Sequence, residues 1–320
     1  MAIPTSRTRE KGHIHIDAAQ CNGCGKCVEV CKDFGLELVE VHAQSAPPGP
    51  KAHASQTAKA KETSLFGCYA CGHCMAACPQ EAITIHGRTL SPSDLFQLPT
   101  LQHKASYEQL LNLLQHRRSI REFVDKKVEP EVIDKILTAA TTSPMGIPPS
   151  DVHVLVFDSK EKNRKFAEDY CAFLQGKRWL VSKWFLAVMR PFLGRETTEL
   201  FRLFDRPLLE AYIGHMEQGI NVITYDAPLM LYFYGTPYVD PADPIVAATT
   251  AMYAAESLGL GTCMLGAIHP FIQSGGGAKK FREKYGIRHT SREGLFVIFG
   301  YPSVKYREGL KRTFASVKYN

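Results

Sequence analysis

Cys21-Asn-Gly-Cys-Gly-Lys-Cys-Val-Glu-Val-Cys31 and Cys68-Tyr-Ala-Cys-Gly-His-Cys-Met-Ala-Ala-Cys78 carry one spacing twice, each first-run cysteine standing 47 residues before its counterpart. Three thiols two residues apart wrap a loop around one side of an iron–sulfur cube, and the fourth ligand comes from elsewhere. Zinc sites take two cysteine pairs separated by a longer stretch, so three closely spaced cysteines plus a fourth fit them poorly. Disulfides need an exported chain, and residues 1–20 hold no apolar signal segment.

The pattern resembles that of the bacterial ferredoxins, in which the fourth cysteine of each run ligates the other run's cluster. The resemblance implies one 4Fe-4S cluster on Cys21, Cys24, Cys27 and Cys78, and a second on Cys68, Cys71, Cys74 and Cys31. Gly25 and Gly72 let the backbone close around each cube. The family's proline after the fourth cysteine is kept at Pro79 and replaced by Lys32 in the first run. Beside the cysteine runs, residues 13–17, 37–42 and 82–86 alternate apolar and polar and read as short strands of a ferredoxin-like βαβ repeat. Residues 43–64 are rich in Ala, Pro, Ser and Lys and lack Phe, Trp and Tyr, which predicts a mobile surface insertion that adds nothing to a core.

The chain of 320 residues has room for a small domain, expected over 1–90, and a large one over 105–320, joined through 87–100 with Pro92 and Pro99. Its formal net charge of +6 comes without a basic block of the kind that tracks a phosphate backbone, so no nucleic-acid partner is expected. No apolar run approaches the ~18 residues of a membrane span. Oxygen-sensitive clusters and two further cysteines, Cys171 and Cys263, point to a reducing cytoplasm.

Beyond residue 105 the periodicity predicts helices over 107–115 and 130–141, with Pro130 at a helix start. Buried strands are expected over 152–157, 229–234 and 294–300, a small-residue helix over 245–258, and mostly helix over 160–223. Interleaved helices and strands make this domain α/β in character. Three guanidinium groups and a hydroxyl in Arg117-Arg118-Ser119-Ile120-Arg121 can grip a phosphate, although such a run is more often a solvated helix face.

Five segments in order, Arg-Arg-Ser-x-Arg-x-Phe at 117–123, Ser143-Pro144-Met145, Asp226-Ala-Pro228, AAESLGLGTCMLG at 254–266 and Gly300-Tyr-Pro302, together resemble the nitroreductase family of flavin enzymes. The resemblance implies an α+β protein: a nitroreductase-like α/β/α sandwich with a mixed central sheet, plus the small N-terminal ferredoxin-like domain. It implies FMN at a homodimer interface, with each tail wrapping its partner. Arg117, Arg118, Ser119 and Arg121 match the phosphate and ribityl contacts, and Arg312, with Lys305 and Lys311 as weaker candidates, completes the phosphate site. Leu265, Gly266 and Ala267 match the loop whose backbone N–H faces the flavin N5. Ser143, Pro144, Met145, Gly146 and Ser150 would run along the ring, where the family's Asn and Gln-Pro-Trp give way to Pro148-Pro149-Ser150-Asp151; the same loop also reads as a proline-stiffened turn. Aromatic residues between 179 and 212 are expected to form a lid, with ordinary helix packing as the alternative. Cys263 reads as a small core residue.

Joined on one chain, these sites imply an iron–sulfur flavoprotein oxidoreductase loaded by a soluble ferredoxin or similar carrier and reducing a small organic acceptor: a nitro compound, quinone, activated alkene or flavin. The alternatives are a dehydrogenase running in the opposite direction and an electron-transfer module or redox sensor without its own organic substrate.

Overall fold

The computed structural model describes residues 11–31, 35–40, 56–61, 67–88, 90–146 and 151–319. These fall into two compact units, one holding the described residues up to Lys104 together with Gly146, the other Ala105–Met145 and the chain from Asp151 onward.

In the first unit the order is β1 (His13–Ile16), α1 (Lys26–Cys31), β2 (Leu36–Glu40), β3 (Gln56–Ala60), α2 (His73–Ala77) and β4 (Ile83–His86). β1 pairs antiparallel with β4, His13 opposite His86, and β2 pairs antiparallel with β3, Leu36 opposite Ala60. Each half is strand, helix, strand, and every strand pairs with one from the other half. Leu36, Ala70, Met75, Ile83 and Ile85 form the core with Cys27 and Cys74.

β3 corrects the expectation for 43–64. Gln-Thr-Ala-Lys-Ala at 56–60 is a strand, and its Ala58 is buried in the core. The small polar residues hide the signal, because a strand that pairs along one edge needs only one inward side chain and Ala58 supplies it. Residues 43–55 and 62–64 lie outside the described residues.

The second unit runs α3 (Tyr107–His116), α4 (Pro130–Thr141), β5 (Val152–Phe157), α5 (Lys160–Gln175), α6 (Lys183–Leu200), α7 (Arg206–Glu217), β6 (Leu229–Gly235), α8 (Ala242–Ser257), β7 (Gly261–Leu265), α9 (Ile268–Gln273), α10 (Ala278–Lys284) and β8 (Gly294–Gly300). The sheet order is β5-β6-β8-β7 with antiparallel ladders, and Ser119 bridges Thr262 in parallel at the edge strand β7, which makes the sheet mixed.

β6 and β8 are buried throughout, which explains their unbroken apolar runs. Alternation along them feeds two cores. Met230, Tyr232, Phe296 and Ile298 pack with Phe166, Tyr170 and Leu174 of α5, Leu209 of α7 and Phe281 of α10. Leu231, Phe233, Val297 and Phe299 pack on the other face with Ile133 and Ile136 of α4 and Ala248, Ala251 and Met252 of α8. Tyr232 stacks on Phe296 at 3.8 Å between ring centroids. The result is an α/β/α sandwich. No helix among the described residues is long and apolar enough to cross a membrane.

The aromatic residues at 179–212 divide: Tyr212 packs against the first core, whereas Trp184 is 75% and Phe192 81% exposed. β7 was not foreseen, because Gly259, Gly261 and Gly266 make its surroundings read as a loop. Gly261 is needed there for close approach: a Cβ would lie 2.5 Å from Cγ1 of Ile120, in the segment that bridges β7. Gly261→Ala is therefore expected to destabilise the protein by about 1–3 kcal/mol. Gly214→Ala, in α7 with nothing within 4 Å of the added Cβ, should stabilise by about 0.5–1 kcal/mol. Urea unfolding midpoints check both, and equal shifts would contradict the packing.

Candidate functional site

The first unit carries two thiol cradles. Cys21 and Cys24 lie in the loop before α1, Cys27 and Cys31 on α1, Cys74 on α2, and Cys78 directly after it. One cavity is lined by Cys21, Cys24 and Cys27 together with Cys78 from the other run, closed by Leu38 and Ala58. Cys31 has moved the other way. A Cβ on Gly35 would meet its Sγ at 3.8 Å and the Cα of Cys68 at 4.0 Å. The loop needs Gly23, whose φ is +70° and where a Cβ would run into the carbonyl oxygen of Gln56 in β3.

Electrostatics follows the same grouping. Burial pushes the Cys74 thiol up to about 12, and neighbouring Cys68, Cys71 and Cys31 add to the shift. Cys68 is raised by burial and by Cys71 and Cys31; Cys27 is raised by burial, with Cys21 and Cys78 adding. Against its own burial, Cys21 is held below the ordinary value by the Thr57 hydroxyl and the backbone of Ala58 and Gly23. The Thr57 hydroxyl is buried without a well-formed hydrogen bond. Backbone N–H groups of Ala70 and Ala82 donate to Sγ of Cys68 and Cys78, each at 3.4 Å. Buried thiols that repel one another's charge become thiolates only with a cationic guest, and N–H donors turned on the sulfurs suit a polynuclear metal–sulfide group.

In the second unit the arginine run leaves α3 and is tied along β7. Ile120 N donates to Thr262 O at 2.9 Å, and Val124 N to Tyr301 O at 2.9 Å, beyond the end of β8. Arg117 and Arg118 thereby line a cavity of about 710 Å³ whose other wall is the tail from Tyr306 to Thr313, with Lys311 and Arg312. Lys305 lies outside that lining. From residue 303 to 319 the tail is exposed in the single chain. Ser119 and Arg121 act on Cys263, whose thiol is raised by burial and drawn back by Arg121, Ser119 and Arg117. Cys263 is a core residue, 1% exposed. Leu265, Gly266 and Ala267 follow at the far end of β7; Gly266 is exposed with open space beside it, and Ala267 O accepts from the Tyr170 hydroxyl at 3.4 Å. A cavity with four arginines, Arg117, Arg118, Arg307 and Arg312, an exposed glycine at the end of the adjoining strand and the buried, unpartnered Thr262 hydroxyl fit a phosphate-bearing flavin.

Of the 143–150 loop, only 143–146 are among the described residues. The Ser143 hydroxyl donates to Ala140 O at 2.7 Å and lies 2.9 Å from Oγ1 of Thr250, so it ties α4 to α8. Met145 packs on the second core, Pro144 and Gly146 are exposed, and Ser150 lies outside the described residues.

Three contributors escaped the sequence. Glu256 of α8 sits among Arg117, His116 and Arg118, which oppose the rise that burial imposes on its carboxyl. Tyr225 and Asp226 both take positive φ, 53° and 49°, a strained pair for residues with side chains. The Tyr225 ring lies 5.6 Å beneath the Arg121 guanidinium. The strain is held by Asp226, whose carboxylate accepts from Arg164 Nε at 3.1 Å and Nη2 at 2.6 Å and from Asn221 Nδ2 at 2.7 Å. Asp-Ala-Pro could have signalled a special turn, but its ion-pair partner is 62 residues away.

Residues 114–301 match the model of the nitroreductase family, and residues 20–83 that of the 4Fe-4S dicluster domain. The chain belongs to the nitroreductase family, with a 4Fe-4S dicluster domain joined at its N-terminal side. It is similar to "FMN reductase [NAD(P)H]" of Bacillus subtilis (strain 168), 26% identical over 160 residues, which are 50% of this chain and 55% of that protein. The chain thus spans about half the length of that curated relative. Among solved structures, a nitroreductase with bound FMN from Desulfitobacterium hafniense DCB-2 has a TM-score of 0.46 at 22% identity, covering 65% of this chain and 98% of that one. Another with bound FMN, from Bacteroides fragilis NCTC 9343, has a TM-score of 0.48 at 15% identity, over 66% and 99%.

Asp226→Ala leaves the Arg164 and Asn221 donors without their acceptor, and is expected to cost about 2 kcal/mol or more. Asp226→Asn, which keeps an acceptor oxygen, should cost less. Chemical denaturation of the two variants checks this, and equal midpoints for both and the parent protein would contradict it.

Proposed function

We propose that the protein is an iron–sulfur flavoprotein oxidoreductase that takes single electrons from a soluble carrier and reduces a small organic acceptor. The observation that carries this reading is the crossed grouping of thiols, with Cys78 beside Cys21, Cys24 and Cys27, on the same chain as the cavity of Arg117, Arg118 and Arg312. When bound, 4Fe-4S clusters supply one-electron transfer at low potential and FMN supplies two-electron chemistry toward nitro compounds, quinones, activated alkenes or another flavin.

This chain's residues do the holding and orienting. Cys21, Cys24, Cys27 and Cys78 hold one cluster, and Cys68, Cys71, Cys74 and Cys31 the other, with Thr57, Ala70 and Ala82 donating toward sulfur. Arg117, Arg118 and Arg312 bind the flavin phosphate by charge-assisted hydrogen bonds, while Ser119 and Arg121, propped by Tyr225, reach toward the ribityl chain. Leu265, Gly266 and Ala267 offer backbone donors to the ring. The exposed tail wraps a second copy of the chain in a homodimer. The domains extend over 1–90 and 105–320. The name of the Bacillus subtilis relative, an FMN reductase using NAD(P)H, favours flavin among the acceptors.

The test is anaerobic turnover with a reduced one-electron carrier and a panel of acceptors. The parent protein is expected to reduce at least one acceptor. Cys78→Ser and Cys31→Ser should each lose carrier-driven turnover while retaining flavin. Turnover unchanged in both variants would remove the thiols from the electron path, and a parent protein inert toward every acceptor would leave the electron-transfer module as the better reading.

A further inference from the structure

α6 and α7 form an arm with its polarity reversed. Gly194, at φ 77° and ψ 169°, breaks α6 after Pro191 and folds its second part back, and the helix continues through 201–205 into α7. Lys183, Leu186, Ala187 and Arg190 fall at helical spacing on one side of the break, and Arg195, Thr198, Glu199, Arg202 and Arg206 on the other; together they line a cavity of about 410 Å³. Two helical segments that fold on each other normally meet through apolar residues. Here a single buried apolar side chain, Leu186, lies among the lining residues, while Trp184, Val188, Phe192 and Leu203 are exposed.

Inside the cavity, five cationic side chains meet one carboxylate, Glu199. Arg195 is paired with Glu199 at 3.0 Å and Arg206 with Glu210 at 2.9 Å. Lys183, Arg190 and Arg202 have no ion pair among the described residues. Cations facing one another across a gap repel, and the repulsion grows as the gap loses water. An anion placed between them turns the same geometry into attraction, and forked guanidinium groups from two helices match phosphate oxygens.

We infer that this cavity is a binding site for the diphosphate group of a small molecule. Recognition rests on Arg190 and Arg202 from opposite walls, with Lys183 as a third cation. A surplus of four formal positive charges among the lining residues exceeds what one monoanion needs, and a cavity of this volume is in the range that admits a nucleotide. The site involves none of the residues assigned to clusters or flavin, so it stands or falls apart from the proposed function.

Calorimetric titration of the protein with inorganic pyrophosphate tests the inference, with ADP as a second arm. Binding is expected to weaken as salt rises, and Arg190→Gln and Arg202→Gln should each lower affinity roughly tenfold or more. Both side chains are exposed, so neither variant should unfold the arm, and unchanged far-UV circular dichroism checks that. Lys280→Gln, at an exposed lysine of α10 that lines neither cavity, should leave this affinity unchanged. Tighter binding of ADP than pyrophosphate identifies a nucleotide as the source; equal affinity means the diphosphate alone is recognised. Absence of pyrophosphate binding, or binding undiminished in both Arg190→Gln and Arg202→Gln, overturns the inference.

Discussion

A buried thiol stays neutral unless a cation shares its cavity, and the first unit is built around that constraint. Cys27 and Cys74 are core residues alongside Leu36, Ala58, Ala70, Met75, Ile83 and Ile85. A metal or other staple adds to an apolar core this small. Burial raises the Cys74 thiol, and Cys68, Cys71 and Cys31 add to the shift, so a bound cation favours its thiolate. Because Cys78 lines the first run's cavity while Cys31 lies close enough to Cys68 to raise its thiol, neither half has a complete cradle without the other.

The second unit solves a different problem. Its two cores on either face of β6 and β8 need no guest, so the polar work is left to the sheet edge. There the bridge from Ser119 to Thr262 and the contact of Ile120 with Gly261 fix the arginine run, and the chain after β8 brings Arg312 to the same cavity. Tyr225 sits beneath Arg121, and Cys263 is buried in the core. What holds the arginine side chains in place is thus the packing of one glycine and one strained turn, far apart in sequence.

The strong apolar runs were legible because β6, β8 and β5 need continuous or alternating burial, and the helices over 107–116 and 130–141 announce themselves by a Ser106 cap and Pro130. β3 and β7 were not, since Gln-Thr-Ala-Lys-Ala and Gly-Thr-Cys-Met-Leu acquire strand character from their partners and not from their own side chains. The cysteine spacing gave the two groups of three, whereas the crossing of Cys31 and Cys78 came only through the ferredoxin resemblance. The partner of Ser143 was hidden for a related reason: its hydroxyl bonds to Thr250, 107 residues away. Glu256 and Asp226 likewise take their roles from distant cations.

The central claim is that one chain holds both redox groups. Iron, acid-labile sulfide and flavin determined on anaerobically isolated protein test it most directly. The account predicts iron and sulfide in equal amounts, enough for two four-iron clusters per chain, together with one FMN. Zinc in place of iron, or protein that neither contains nor takes up FMN, would contradict it.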